Sequence, residues 1–233
     1  MAGDHVEFAP SRRGARFQPT LRNIAFWSCY IYSPRGPSYV SEESRVLCAR
    51  LKSADPAWLP HYAGLVHEHA ARHGMLSTLF ARESVLVPVP GSAPSGRGVW
   101  AAQRLALALQ GVGLGGSVWP AIERRFPVRK SATALNADRP TVHQHYESFA
   151  VTGRWAAKPL PYPPTRMILV DDVITKGRTI LAAAVRLHEA FPHADIRAFA
   201  LVRTMGLVPD VSNPLSPCHG IVLWAAGDSR REP

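Results

Sequence analysis

The stretch from Met167 to Val202 constrains the fold of this chain more than any other part of it. Met167-Ile168-Leu169-Val170 is a short continuous apolar run, the pattern of a strand buried on both faces. Ile180, Ala184, Leu187 and Phe191 follow at helical spacing until Pro192 breaks the pattern, and Ile196 to Val202 supplies another strand. Strand, helix and strand within about 35 residues are joined by a right-handed crossover between parallel neighbours. The chain is therefore expected to be an α/β protein built on a Rossmann-like parallel sheet.

A second unit of the same kind opens upstream. Val85-Leu86-Val87-Pro88-Val89 reads as a buried parallel strand, Pro90 to Arg97 as a loop, and Ala101, Leu105, Ala108 and Leu109 as one stripe of a helix that stops at Gly111. Before it, Ile24 to Tyr32 reads as a strand ended by the turn Ser33-Pro34-Arg35-Gly36-Pro37. Ser41 caps a helix through Lys52, and Asp55-Pro56 starts another that runs to Gly74. Because these elements precede the parallel-sheet pattern, residues 1–80 are expected to form an N-terminal arm and a separate cap, with the α/β core in 81–233. Glu123 to Tyr146 is polar, basic and weakly periodic, which predicts a long flexible loop. Gly220 to Trp224 predicts a last short strand before a polar tail.

Composition excludes several classes. With 46% hydrophobic and 19% charged residues the chain fits neither disorder nor a coiled coil. Its apolar runs fall well short of the roughly 20 residues that cross a bilayer, and the Arg-containing N-terminus has no apolar segment behind it, so no membrane association is expected and a cytoplasmic location is. Cys29, Cys48 and Cys218 are odd in number and widely spaced, which leaves no disulfide framework or cysteine zinc ribbon. Lys plus Arg is 27 and Asp plus Glu 17, a formal charge of +10 that favours phosphorylated or polyanionic partners. The arginines are scattered, with no block of five or six like charges to mark a nucleic-acid tail.

The chemistry concentrates between the strand and helix of the first unit, in Asp171-Asp172-Val173-Ile174-Thr175-Lys176-Gly177-Arg178-Thr179. Two adjacent carboxylates at the C-terminal end of a parallel strand sit where open α/β sheets bind ligands. Gly177 permits a tight turn, and the amides and hydroxyls from Thr175 to Thr179 open the next helix as an anion cradle at its positive end. Lys176 and Arg178 add positive charge, while Asp171 and Asp172 can accept hydrogen bonds from vicinal hydroxyls. A phosphorylated sugar satisfies both halves at once.

Ile168 to Thr179, ILVDDVITKGRT, resembles the phosphoribosyl-pyrophosphate motif of type I phosphoribosyltransferases. The resemblance implies that family's Rossmann-like sheet with an N-terminal hood, an acidic pair (Asp171 and Asp172) on the ribose hydroxyls, and a loop (Thr175, Lys176, Gly177, Arg178, Thr179) on the 5-phosphate. It also implies Mg held mainly through ligand oxygens, with Asp171 and Asp172 as candidate protein ligands. VLVPVPGSAPSGRG, Val85 to Gly98, is similar to the strand and pyrophosphate loop of the ComF branch, which implies Pro90, Gly91, Ser92 and Arg97 as the pyrophosphate loop. The zinc ribbon common in that branch is absent. Arg129 and Lys130 are the flexible-loop candidates, with Arg124, Arg125 and Arg139 in the same basic stretch.

The activity implied is transfer of a phosphoribosyl group to an unidentified base or amine, with release of pyrophosphate. A regulatory or DNA-uptake protein that senses phosphoribosyl pyrophosphate and binds nucleic acid stands as the alternative; a homodimer and weak nucleic-acid binding are the further partner expectations. Other motifs fail on context. Gly91 to Arg97 mimics P-loop spacing without the required lysine, and Gly111 to Gly116 follows a helix rather than a strand. His67, His69 and His73 lack a completing ligand and read as a solvated helix face.

Overall fold

A computed structural model of the chain describes residues 17–53, 55, 57–72, 74–94, 98–129, 139–152, 163–205 and 210–233. The segments β1 (Asn23–Tyr32), α1 (Tyr39–Lys52), α2 (Leu59–Arg72) and α3 (Gly74–Ser77) come first. They are followed by β2 (Val85–Pro88), α4 (Ala101–Gly111), β3 (Ser117–Val118) and β4 (Ile122–Arg124). Then come α5 (Val142–Ser148), β5 (Phe149–Val151), β6 (Arg166–Ile174), α6 (Arg178–Ala190), β7 (Asp195–Thr204), β8 (Leu215–Ala225) and β9 (Asp228–Glu232).

Among the described residues, seven strands form one sheet in the order β3-β2-β6-β7-β1-β8-β9, and β4 pairs with β5 in a small antiparallel ribbon. The pairs β2/β3, β2/β6, β6/β7 and β1/β7 are parallel, and the β8–β9 hairpin adds to β1 antiparallel. The mixed α/β, mostly parallel architecture is the one expected from the two strand–helix units. Alternate strand residues face opposite sides, so Leu86, Ile168 and Val170 enter one apolar layer with Leu47, Leu51, Val66 and Leu105 from α1, α2 and α4. Val85, Val87, Met167 and Leu169 enter a second layer with Ile180, Leu181, Ala184 and Leu187 of α6. Each fully buried Ile or Leu contributes about 1.5–3 kcal/mol, and the run of buried alanines from Ala182 to Ala184 brings α6 close to the sheet.

The expected separate cap is corrected at its first strand. Phe26 to Tyr32 lies in register with Ala198 to Thr204 of β7, inside the sheet, and α1 and α2 pack on the same face as α4. The apolar run of β1 has the signature of a buried strand, but pairing with a strand about 170 residues away is set by tertiary contacts that local pattern does not carry. α1 begins one turn earlier than expected, because Ser38 is the residue whose side chain accepts from the Ser41 amide. The region expected to be a loop from 123 to 146 contains, among its described residues, the end of β4 and most of α5. A reciprocal capping box between Thr141 and Gln144 starts α5. Residues 130–138 lie outside the described part. The predicted last strand is longer than Gly220 to Trp224, and the polar tail after it is β9, closed on β8 through Ala226 and Gly227 at φ 51° and 86°.

Candidate functional site

β6 carries the acidic pair at its C-terminal end, and the chain then turns through Thr175, Lys176 and Gly177 into α6. Gly177 is the N-cap with φ 77°, a left-handed conformation, and an added Cβ there would fall 2.5 Å from a Val222 methyl. Both constraints admit only glycine at low cost. The first turn of α6 leaves its leading N–H groups without helical acceptors, and Gly177 has no side chain to cap them. Residues 173–180 line a pocket without a break, joined by Asp171 and Arg139. Its empty space, including the part open to solvent, is about 380 Å³. All five residues expected to form the phosphate loop therefore meet in one place.

Strand alternation would send Asp171 and Asp172 to opposite faces, but their carboxyls stay close at the strand end. The Asp172 amide donates to Asp171 Oδ1 and the Val173 amide to Asp172 Oδ1, both at 2.9 Å. Burial and then the neighbouring Asp172 charge hold the Asp171 carboxyl well above the usual carboxylate range. On the α1 side, burial lifts the Cys48 thiol to about 12; nearby Lys52 opposes this and Asp172 adds to it. Asp171 lines the pocket, whereas Asp172 does not and lies near Cys48 of α1.

Arg178 differs from its expected role. Its guanidinium donates from Nε to Asp228 Oδ1 at 2.7 Å and from Nη2 to Asp228 Oδ2, while Nη1 donates to the Arg139 and Pro140 carbonyls at 3.2 and 3.3 Å. It contributes its backbone to the cradle, and its side chain holds other parts of the chain. Burial pushes the Asp228 carboxyl up, and hydrogen bonds from Arg178 and the Ser229 amide with the Arg178 charge outweigh it, leaving it below the ordinary range.

The strand before the second expected loop, β2, lies directly beside β6, with Pro88 opposite Val170, so both turns leave the same edge of the sheet. Pro90, Gly91 and Ser92 do not line the pocket itself. Arg124, which is 4% exposed, donates from Nε to the Gly91 carbonyl and from Nη1 to Ser148 Oγ. Its guanidinium lies over the Phe149 ring, and Asp171 is near enough to offset part of the burial that lowers it to about 10. Arg124 is thus a fixed part of β4, which corrects its expected place on a closing loop. The Val128 amide donates to the Ser92 carbonyl at 2.8 Å, which sets exposed Arg129 beside that turn. Arg97 and Lys130 lie outside the described residues.

His145, 3% exposed, faces Arg124 Nη2 through Nδ1 at 3.4 Å. Guanidinium can only donate, so Nδ1 accepts and the ring is neutral with its proton on Nε2; burial, then the Arg124 and Arg178 charges, lower it to about 3. Sequence reasoning found neither this residue's role nor Asp228, Ser229, Val222 and Arg231. The Thr141-x-x-Gln144 spacing could have revealed the helix that carries His145, whereas β9 has no apolar alternation to announce it.

Among the described residues no group of three or more His, Cys, Asp or Glu side chains is placed to hold a metal ion, and no helix is long and apolar enough to cross a membrane. Comparison with known protein families gives no match, and comparison with curated proteins gives none either.

Proposed function

We propose that the chain is a magnesium-dependent phosphoribosyltransferase of the type I arrangement, acting in the cytoplasm on phosphoribosyl pyrophosphate and a nitrogenous base or amine. The observation that carries this reading is the convergence of Asp171 and an uncapped left-handed turn on one pocket, with Asp172 next to it and a second turn leaving the adjacent parallel strand. A 5-phosphate accepts hydrogen bonds from the amides and hydroxyls between Thr175 and Thr179, while the ribose hydroxyls donate to Asp171 and Asp172. Pyrophosphate extends toward Pro90, Gly91 and Ser92, with Arg129 at that turn.

The donor set suits Mg²⁺. Two close carboxyls, one of them raised by burial and then by the other's charge, gain by meeting a cation, and Mg²⁺ commonly takes one or two carboxylates and completes its shell with water and phosphate oxygens. When bound, it neutralises charge on the departing pyrophosphate. The acceptor nitrogen forms its bond to the anomeric carbon as the carbon–oxygen bond to pyrophosphate breaks and the leaving group takes the electron pair. The chain's own work is to orient the sugar, fix the phosphates and exclude water. No covalent protein nucleophile is required.

Isothermal titration of phosphoribosyl pyrophosphate with Mg²⁺ tests the reading through Asp172→Asn. Loss of a charge-assisted contact costs about 1.5–3 kcal/mol, or about 10- to 150-fold in affinity. Equal affinity for variant and wild type would remove the acidic pair from the site.

A further inference from the structure

The turn that cradles the anion is gripped from outside by the C-terminal hairpin at four successive points. Arg231 Nη1 donates to the Ile174 carbonyl at 3.0 Å, and Ser229 Oγ donates to the Lys176 carbonyl at 2.9 Å. The Val222 side chain fills the space beside Gly177, and Asp228 takes the two-pronged ion pair from Arg178. Through its remaining nitrogen Arg178 also fixes the carbonyls of Arg139 and Pro140, the residues that bring Arg139 to the pocket wall. The sheet needs none of these contacts for closure, since β8 is already paired along β1. Their common effect is on the shape of one turn and the placement of one arginine.

We propose that the β8–β9 hairpin is a positioning clamp for the phosphate cradle, with Asp228 and Arg178 as positioning residues that set the turn and present Arg139 to the bound anion. The inference rests on reading this pocket as a phosphate site. A turn whose amides must converge on a tetrahedral anion loses affinity when it is free to sample other conformations, because ligand binding must then order it. Arg178 is the point where the clamp, the turn and the Arg139 segment are joined, and the Asp228 carboxylate fixes its guanidinium there.

The test is titration of the full chain with ribose 5-phosphate, comparing wild type, Asp228→Asn and Asp228→Glu at a temperature where circular dichroism shows each folded. Asp228→Asn keeps the shape and one hydrogen bond but removes the charge, and about tenfold weaker binding is expected. Asp228→Glu restores the carboxylate and should recover most of the loss. Should Asp228→Asn fail to fold, Ser229→Ala removes the bond to the Lys176 carbonyl alone and should weaken binding about threefold. Unchanged affinity in Asp228→Asn or Ser229→Ala, or no recovery in Asp228→Glu, overturns the clamp while leaving the site intact. Absence of ribose 5-phosphate binding by the wild type overturns the phosphate site and the clamp together.

Discussion

Replacing Gly177 by alanine perturbs the site at the point where two separate constraints coincide. The left-handed φ of 77° costs an L-residue about 1–2 kcal/mol. The new Cβ would also stand 2.5 and 2.7 Å from the two Val222 methyls and 3.2 Å from its Cβ. Overpacking of that kind in a closed layer costs about 1–3 kcal/mol, so Gly177→Ala should destabilise by about 2–5 kcal/mol in urea titrations. The two costs can be separated. Val222 is fully buried, and Val222→Ala alone should cost about 2 kcal/mol for lost burial and the cavity left behind. In the double variant the two methyl overlaps are gone while the φ cost and the 3.2 Å approach to the remaining Cβ stay, so its destabilisation should fall at least about 1 kcal/mol short of the sum of the single effects. Ribose 5-phosphate affinity should follow, recovering in part when Val222 is trimmed. Additivity within about 0.5 kcal/mol would show that Val222 does not meet the turn, and the steric argument would fail.

Two further outcomes follow from groups around the site. His145 stays neutral in the folded protein down to about pH 3, whereas the unfolded imidazole titrates near 6.5; below that value the unfolded chain binds the extra proton, and stability falls by about 1.4 kcal/mol per pH unit. Asp171 opposes this, because its folded carboxyl keeps a proton that the unfolded chain has released above 3.8, a contribution lost as pH rises through the folded value. Urea titrations of the metal-free protein from about pH 7 to about pH 4.5 should therefore show a steeper fall on acidification for Asp171→Asn than for wild type; equal falls in the two proteins would refute the pairing of these shifts. At the hairpin turn, Ala226 holds φ 51° ahead of Gly227, and Ala226→Asn should stabilise by about 0.5–1 kcal/mol and raise Tm by a few degrees, with a loss of stability counting against the assigned turn.

What the sequence disclosed was local. β6, the Thr175–Gly177 turn and α6 were legible because a buried strand, a glycine at a turn and a helical stripe occupy consecutive residues. The β2 unit was legible for the same reason. The position of β1 in the middle of the sheet was not, since its apolar residues announce a strand but not its partner. β9, Asp228-Ser229-Arg230-Arg231-Glu232, is a strand only because β8 offers it a ladder. The role of Arg178 was hidden in a different way. A cation next to an anion-binding turn reads as a ligand residue until Asp228, fifty residues away, is seen to take its guanidinium. Arg124 was likewise read as one member of a basic loop, because burial under Phe149 and bonding to Gly91 depend on β4 meeting β5.

The central claim, that the two turns and the acidic pair form one phosphosugar site, is tested most directly by a crystal structure of the protein soaked with phosphoribosyl pyrophosphate and Mg²⁺. The account predicts the 5-phosphate on the amides between Thr175 and Thr179, the ribose hydroxyls against Asp171 and Asp172, and pyrophosphate directed toward Gly91 and Ser92. Ligand density elsewhere on the molecule, with the Thr175–Thr179 turn empty at saturating ligand, would contradict it.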